Sequence, residues 1–157
     1  MQVIEATTVI HAPIARCFEL SLSIDLEAEA GRPQRLRAIR GRTCGIIGPE
    51  EQVTWRTKQF GIWVTHTSVI SQYRPHEFFE DSMVRGVFRF FRHQHTFRAL
   101  ADGATEMRDY LTFAMPYGPF GLVLEKRFVR KRMEDLLEVR NALIKRTAEA
   151  DGRRQYP

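Results

Sequence analysis

The spacing of apolar residues changes character several times along this chain. From Val3 to Ile10 the residues are short and β-branched, and the run ends at His11-Ala12-Pro13. That predicts a first strand, then a helix with Pro13 in its first turn, where the missing N–H costs little. Ile14, Cys17 or Phe18, and Leu22 follow at helical spacing. Ser23 is placed to cap a second short helix through Glu29, stopped by Gly31 and Pro33. From Leu36 onward the pattern shortens to strands, at 38–47, 52–60, 62–73, 78–84, 87–100 and 104–114. Gly48-Pro49, Gly61, Arg74-Pro75, Arg85-Gly86 and Ala101-Asp102-Gly103 separate them. The spacing leaves no room for crossover helices, so the strands are expected to be antiparallel neighbours.

Pro116-Tyr117-Gly118-Pro119 halts the sheet and opens a long helix over 119–149, with Val129, Met133, Leu136, Leu137, Leu143 and Ile144 as its apolar stripe. The tail 151–157 is expected to fray. The sum is an α+β chain: a seven-stranded curved antiparallel sheet, two short helices between strands 1 and 2, and one long C-terminal helix. Such a sheet buries its concave face against the helix. Where it curves more than the helix can fill, a cavity remains.

Composition adds bounds. At 157 residues, 43% hydrophobic and 27% charged, the chain fits one globular domain over 1–157. Eleven phenylalanines suit either a dense core or the wall of an apolar pocket. The formal charge of +5 favours contact with anions in general and singles out none. Cys17 and Cys44 form no C-x-x-C pair and no disulfide framework. Met1-Gln2-Val3-Ile4-Glu5 has neither a basic nor an apolar leader segment, and no apolar run is long enough to cross a bilayer. A cytoplasmic protein with reduced thiols is expected.

Several motifs together resemble the SRPBCC superfamily, which takes in START domains, birch-pollen-allergen-like proteins and polyketide cyclases, and above all its small bacterial members. They are the opening Ile10-His11-Ala12-Pro13, the strand Phe91-Arg92-His93-Gln94-His95-Thr96-Phe97, then Thr105-x-Met107-x-Asp109, and the Pro-x-Gly-Pro-x-Gly corner from Pro116 to Gly121. The resemblance covers nearly the whole chain and implies the helix-grip fold. Its members include lipid carriers, hormone receptors, cyclases and chaperone co-factors, so shared fold leaves the function open.

The densest chemistry falls on the last two strands. Alternation puts Phe91, His93, His95, Phe97 and Ala99 on one face, and Thr105, Met107, Asp109, Leu111 and Phe113 on the matching face of the next strand. A tight turn at Ala101-Asp102-Gly103 sets Leu100 opposite Ala104, Arg98 opposite Glu106 and His95 opposite Asp109. A carboxylate beside an imidazole is the arrangement of a general base, and equally that of a buried histidine whose N–H needs a partner. No serine or cysteine sits in a nucleophile motif beside it, which favours a structural or ligand-orienting role.

His93-x-His95 also has metal-ligand spacing, with Asp109 or Asp81 available as an oxygen donor. Two ligands at that spacing arise often by chance, and the resembled proteins do not generally use a metal, so no metal or other cofactor is assigned. Arg140 falls on the apolar stripe of the long helix. It either needs a carboxylate, from the protein or from a ligand, or snorkels outward, the more ordinary outcome. Arg32, Arg35, Arg37, Arg40 and Arg42 crowd one segment without an acid among them, and read first as a solvated surface and second as a site for headgroups or an anionic ligand. Trp55, Trp63, Phe79, Phe88, Phe90 and Phe91 divide between core and cavity wall, since alternation points Phe90 and Phe91 to opposite faces. No nucleic-acid-binding motif accompanies the charge.

The expectation is a protein that binds, sequesters or carries a small hydrophobic ligand, lipid-like or aromatic and open to an acidic head. Phe91, Phe97, Met107, Met133 and Leu136 are the expected apolar wall, and His93, His95, Asp109 and Arg140 the polar groups. Partners are limited to that ligand and transient membrane-surface contact, without specific nucleic acid; the oligomeric state is open. The alternatives are a cyclase- or dehydratase-like enzyme using His95 and Asp109, and a non-catalytic interaction module.

Overall fold

The computed structural model describes residues 1–154. In chain order the elements are β1 (Gln2–Ile10), α1 (Ile14–Ser21), α2 (Ile24–Ala30), a 3-10 turn (Arg32–Gln34), β2 (Arg37–Gly41), β3 (Gln52–Gln59), β4 (Ile62–Arg74), β5 (Phe78–Arg85), β6 (Phe90–Ala99), β7 (Thr105–Ala114), α3 (Gly118–Leu124), one π turn (Glu125–Val129) and α4 (Arg130–Arg154). The strands make one curved antiparallel sheet in the order β1-β7-β6-β5-β4-β3-β2. This is the α+β helix-grip architecture that the pattern predicts.

The local signals act as physics requires. Pro13 caps α1, and the Ser23 hydroxyl accepts the amide of Leu26 at 3.1 Å to cap α2. The β6–β7 hairpin turns at Gly103, whose φ of +84° only glycine adopts cheaply. At the β7–α3 corner the chain doubles back so tightly that a Cβ on Gly121 would lie 1.9 Å from the Pro116 carbonyl oxygen. The buried Glu125 carboxylate fastens that corner, accepting from the Met115 amide at 2.7 Å and the Gln2 side chain at 3.4 Å.

Two expectations need correction here. The strand expected over 38–47 ends at Gly41, because the next segment turns away to hold α2. Ile24 donates to the Gly45 carbonyl at 2.9 Å, Ile47 donates to the Leu22 carbonyl at 3.0 Å, and the Asp25 carboxylate accepts the Gly45 amide at 2.9 Å. The long helix is continuous from Gly118 but carries a π turn at Glu125–Val129, and it extends to Arg154, into the stretch where fraying was expected. Residues 155–157 of that stretch lie outside the described residues.

Helix α4 packs on β1, α1 and α2. Helix α1 closes one end of the concave face. Its Phe18 meets Phe97 edge-on at 5.2 Å, Tyr73 at 5.5 Å and Phe79 at 5.7 Å between ring centres. Each fully buried side chain of this kind contributes about 1.5–3 kcal/mol. No helix among the described residues is long and apolar enough to cross a membrane.

Candidate functional site

Beyond the reach of α1, the concave face stands away from α4 and encloses a cavity of about 650 Å3. Its wall is mostly apolar and includes Val53, Trp55, Phe88, Phe91, Met133 and Leu136. Trp55, Phe79, Phe88 and Phe91 therefore face the cavity. Trp63 and Phe90 are outside it, stacked under Arg56 at 4.3 Å and Arg92 at 5.6 Å.

Of the residues singled out in the sequence, Phe91, His93, His95, Met133, Leu136 and Arg140 line the cavity, whereas Phe97, Met107 and Asp109 do not. Phe97 and Met107 are opposite each other across β6 and β7, and both are packed under α1, where Ser21 contacts the Met107 sulfur at 3.4 Å. They belong to the core, because strand alternation specifies a face but not which helix covers it. Asp109 is fully buried behind the two histidines.

The β6–β7 register is the expected one, with His95 opposite Asp109 and Arg98 opposite Glu106. On the other side of β6, Asp81 of β5 pairs directly with His93. The result is a buried polar network at one end of the cavity. His93 Nε2 lies 2.8 Å from Asp109 Oδ1, and Asn141 donates to Asp109 Oδ2 at 2.7 Å. His95 Nε2 lies 3.1 Å from Asp81 Oδ2. His95 Nδ1 is 3.1 Å from Asp109 Oδ1, within ion-pair range, yet the ring is turned so that this nitrogen makes no hydrogen bond. Phe79 stacks on His95 at 4.1 Å, and the His93 ring lies 3.8 Å from it, tilted by 35°. Asp81 opens toward the cavity, with 22% of its side chain accessible.

Arg140 departs from the snorkelling expectation. It is buried, donates from Nε to Glu27 at 2.7 Å, from Nη2 to the Ser21 carbonyl at 2.9 Å and from Nη1 to Asn141 Oδ1 at 3.2 Å. It also lies 3.8 Å from Asp109 Oδ1. Its charge is thus already met by carboxylates of the protein. Burial penalises the charged form of this guanidinium, but Glu27 and Asp109 outweigh that and hold its pKa above the usual value.

The two histidines differ. Burial, then the neighbouring His95, pushes His93 below its ordinary value despite Asp109. Burial also opposes charge on His95, but Asp109 and Asp81 together raise it. Asp109 is held well below the carboxylate range: burial works against its charge, and the contacts from His93 and His95 overcome it. Asp81 is lowered in the same way, chiefly through His95 once burial is overcome.

Sequence reasoning missed Glu27, Asn141 and His66. Glu27 and Asn141 reach the network from α2 and α4, with no local motif to mark them. His66 lines the cavity edge-on to Phe91 at 4.9 Å, and burial lowers its pKa. The arginine segment is not at the cavity: Arg32, Arg35 and Arg37 border a separate surface groove with Arg56 and Trp63, and Arg42 pairs with Glu51 at 2.7 Å.

Neither a family model nor a curated protein sequence matches the chain. Solved structures do. A START superfamily protein from Mycobacterium smegmatis superposes with a TM-score of 0.68 at 10% identity, covering 92% of this chain and 98% of that one. The Zhui aromatase/cyclase from Streptomyces sp. R1128 gives 0.66 at 15%, covering 95% and 97%. The major latex-like protein 151 of Panax ginseng gives 0.63 at 10%, covering 94% and 97%. At such identities these likenesses establish the START-like helix-grip fold.

Proposed function

From that fold and its hollow, we propose that the chain is a single ligand-binding domain that sequesters or carries a small hydrophobic molecule, lipid-like or aromatic. The observation that carries this reading is the cavity of about 650 Å3, apolar along most of its wall and polar at one end. That volume falls inside the range of about 300–1,000 Å3 usual for small-molecule sites. The superposed structures, described as a START superfamily protein and an aromatase/cyclase, support it by likeness.

The polar end shapes the ligand. His93, His95 and Asp81 offer hydrogen bonds to a hydroxyl or carbonyl, and Arg140 is engaged with Glu27. Taken without any added cation, this end accepts a neutral polar group more readily than a carboxylate, because Asp81 and Asp109 already concentrate negative charge there.

Native mass spectrometry of freshly purified protein, compared with its mass under denaturing conditions, tests the reading. An adduct of roughly a few hundred daltons fits a pocket of this size. Recovery of that molecule with unchanged mass marks carriage, and a changed mass after incubation marks turnover. Leu136→Trp, which plugs the cavity, is expected to remove the adduct while leaving the circular dichroism spectrum intact. If the wild type carries no adduct and takes up none from a panel of fatty acids and polycyclic aromatics, the reading fails.

A further inference from the structure

We propose that Asp81, His93 and His95 form a binding site for a divalent transition-metal ion of the zinc type at the polar end of the cavity. One donor atom from each of the three lies within 4.8 Å of the others. Ligands bound to zinc at about 2.0–2.2 Å sit roughly 3.4 Å apart, so the widest edge of the set closes by up to about 1.4 Å. One of its edges already has that length, at 3.1 Å between His95 Nε2 and Asp81 Oδ2.

The three residues are placed by backbone pairing and not by loops. Asp81 is the direct cross-strand partner of His93, and His93 and His95 share a face of β6, a central strand of the sheet. Behind them Asp109 sits where a carboxylate can hold the far nitrogens of metal-binding histidines and fix their orientation. It contacts His93 Nε2 at 2.8 Å and His95 Nδ1 at 3.1 Å through one oxygen, while Asn141 holds the other at 2.7 Å. That arrangement leaves His95 Nε2, beside Asp81, and His93 Nδ1 as the ring nitrogens that Asp109 does not engage. The His95 Nδ1 atom is buried without a hydrogen bond. Coordination through Nε2 would fix the ring proton on Nδ1, 3.1 Å from Asp109 Oδ1, where the carboxylate favours it.

Charge points the same way. Asp81, Asp109 and Glu27 contribute three formal negative charges to the network and Arg140 one positive charge, which leaves two negative. Glu27 and Asp81 keep 36% and 22% of their side chains accessible, so water carries part of this charge, and a divalent cation at the histidines would offset the share held by Asp81 and Asp109. Two imidazole nitrogens and one carboxylate suit zinc and its first-row neighbours, whereas magnesium and calcium prefer oxygen donors. Three protein ligands leave a fourth position open toward the cavity. Through it an ion makes the cavity receptive to an anionic head; this consequence, unlike the site, rests on the carrier reading.

The test uses the full chain, stripped with a chelator and titrated with Co2+ or Zn2+ alone. One equivalent of Co2+ with visible d–d absorption and no thiolate charge-transfer band is expected, along with loss or broadening of the His93 and His95 imidazole resonances. Asp81→Asn and His93→Gln are expected to abolish the visible band, and Asp109→Asn to weaken binding about 10–100-fold, as loss of a carboxylate that orients ligating histidines does. Absence of bound Co2+ overturns the proposal. So does a thiolate band pointing to Cys44, or a titration unchanged in folded Asp81→Asn and His93→Gln. The wild-type resonances decide the matter even where a variant fails to fold. Because no organic ligand is present, failure here leaves the carrier reading standing.

Discussion

The two ends of the concave face are built from the same strands and differ in what lies over them. Phe91 and Phe97 share a face of β6, six residues apart. Phe97 is sealed beneath Phe18 of α1, whereas Phe91 looks into the cavity beneath α4. Between them, His93 and His95 mark the border of the filled end with the open end. The strands therefore supply one continuous face, apolar apart from this polar patch, and the short helix near the N-terminus decides which part becomes core and which stays hollow. The open end is edged by apolar residues that keep substantial exposure, among them Phe60 at 61% and Phe128 at 52%. A chain that needed only stability would have filled it.

Substitutions at the two ends should separate these roles. The largest effect is expected for Phe97→Ala, which leaves a void in a closed core and should cost about 3–5 kcal/mol in chemical denaturation. A cost below 1 kcal/mol would show the filled end to be looser than its packing implies. Arg140→Met comes next, since Arg140 ties α4 to both Glu27 and the Ser21 carbonyl. Breaking a buried ion pair costs about 3–5 kcal/mol. The lower end of that range is expected because the Glu27 side chain is 36% exposed and can be rehydrated.

Leu136→Ala, at the open end, should cost only about 1 kcal/mol, the ordinary effect of a point substitution. Its main consequence should be a change in ligand affinity with little change in the denaturation midpoint. Equal destabilisation by Leu136→Ala and Phe97→Ala would erase the distinction between the ends.

The smallest effect concerns pH and the hinge of the open end. Burial raises the Glu125 pKa, but the Met115 amide, the Met1 ammonium at 3.1 Å and the Gln2 side chain overcome this and leave it below the ordinary value. A depressed folded-state pKa contributes stability above the unfolded value and loses it as pH falls through the folded value. Glu125→Gln should therefore flatten the acid limb of the stability profile below about pH 4.3, the unfolded glutamate value. An unchanged acid limb would show that this carboxylate does not fasten the corner.

Much of this was legible in the sequence, for identifiable reasons. The β6–β7 register could be read because Asp102-Gly103 forces a tight turn, and because one register satisfies both the Arg98–Glu106 and His95–Asp109 pairs. The strand–helix order followed from punctuation by proline and glycine. The place of Asp81 opposite His93 was harder. The β5–β6 pairing stops at Ser82 opposite Arg92, so a long connection joins the paired stretches and no tight turn fixes the alignment. Glu27 and Asn141 enter the site from α2 and α4, and only tertiary packing brings them there. The same limit placed Phe97 and Met107 in the wall instead of the core.

The central claim is that the open end takes up a hydrophobic molecule. Trp55 lines the cavity and Trp63 lies outside it under Arg56, so Trp63→Phe leaves one tryptophan as a reporter. Titration of that variant with a long-chain fatty alcohol or a polycyclic aromatic should shift or quench Trp55 emission saturably at one molecule per chain. Emission that stays constant across the panel, or changes without saturating, would contradict the account.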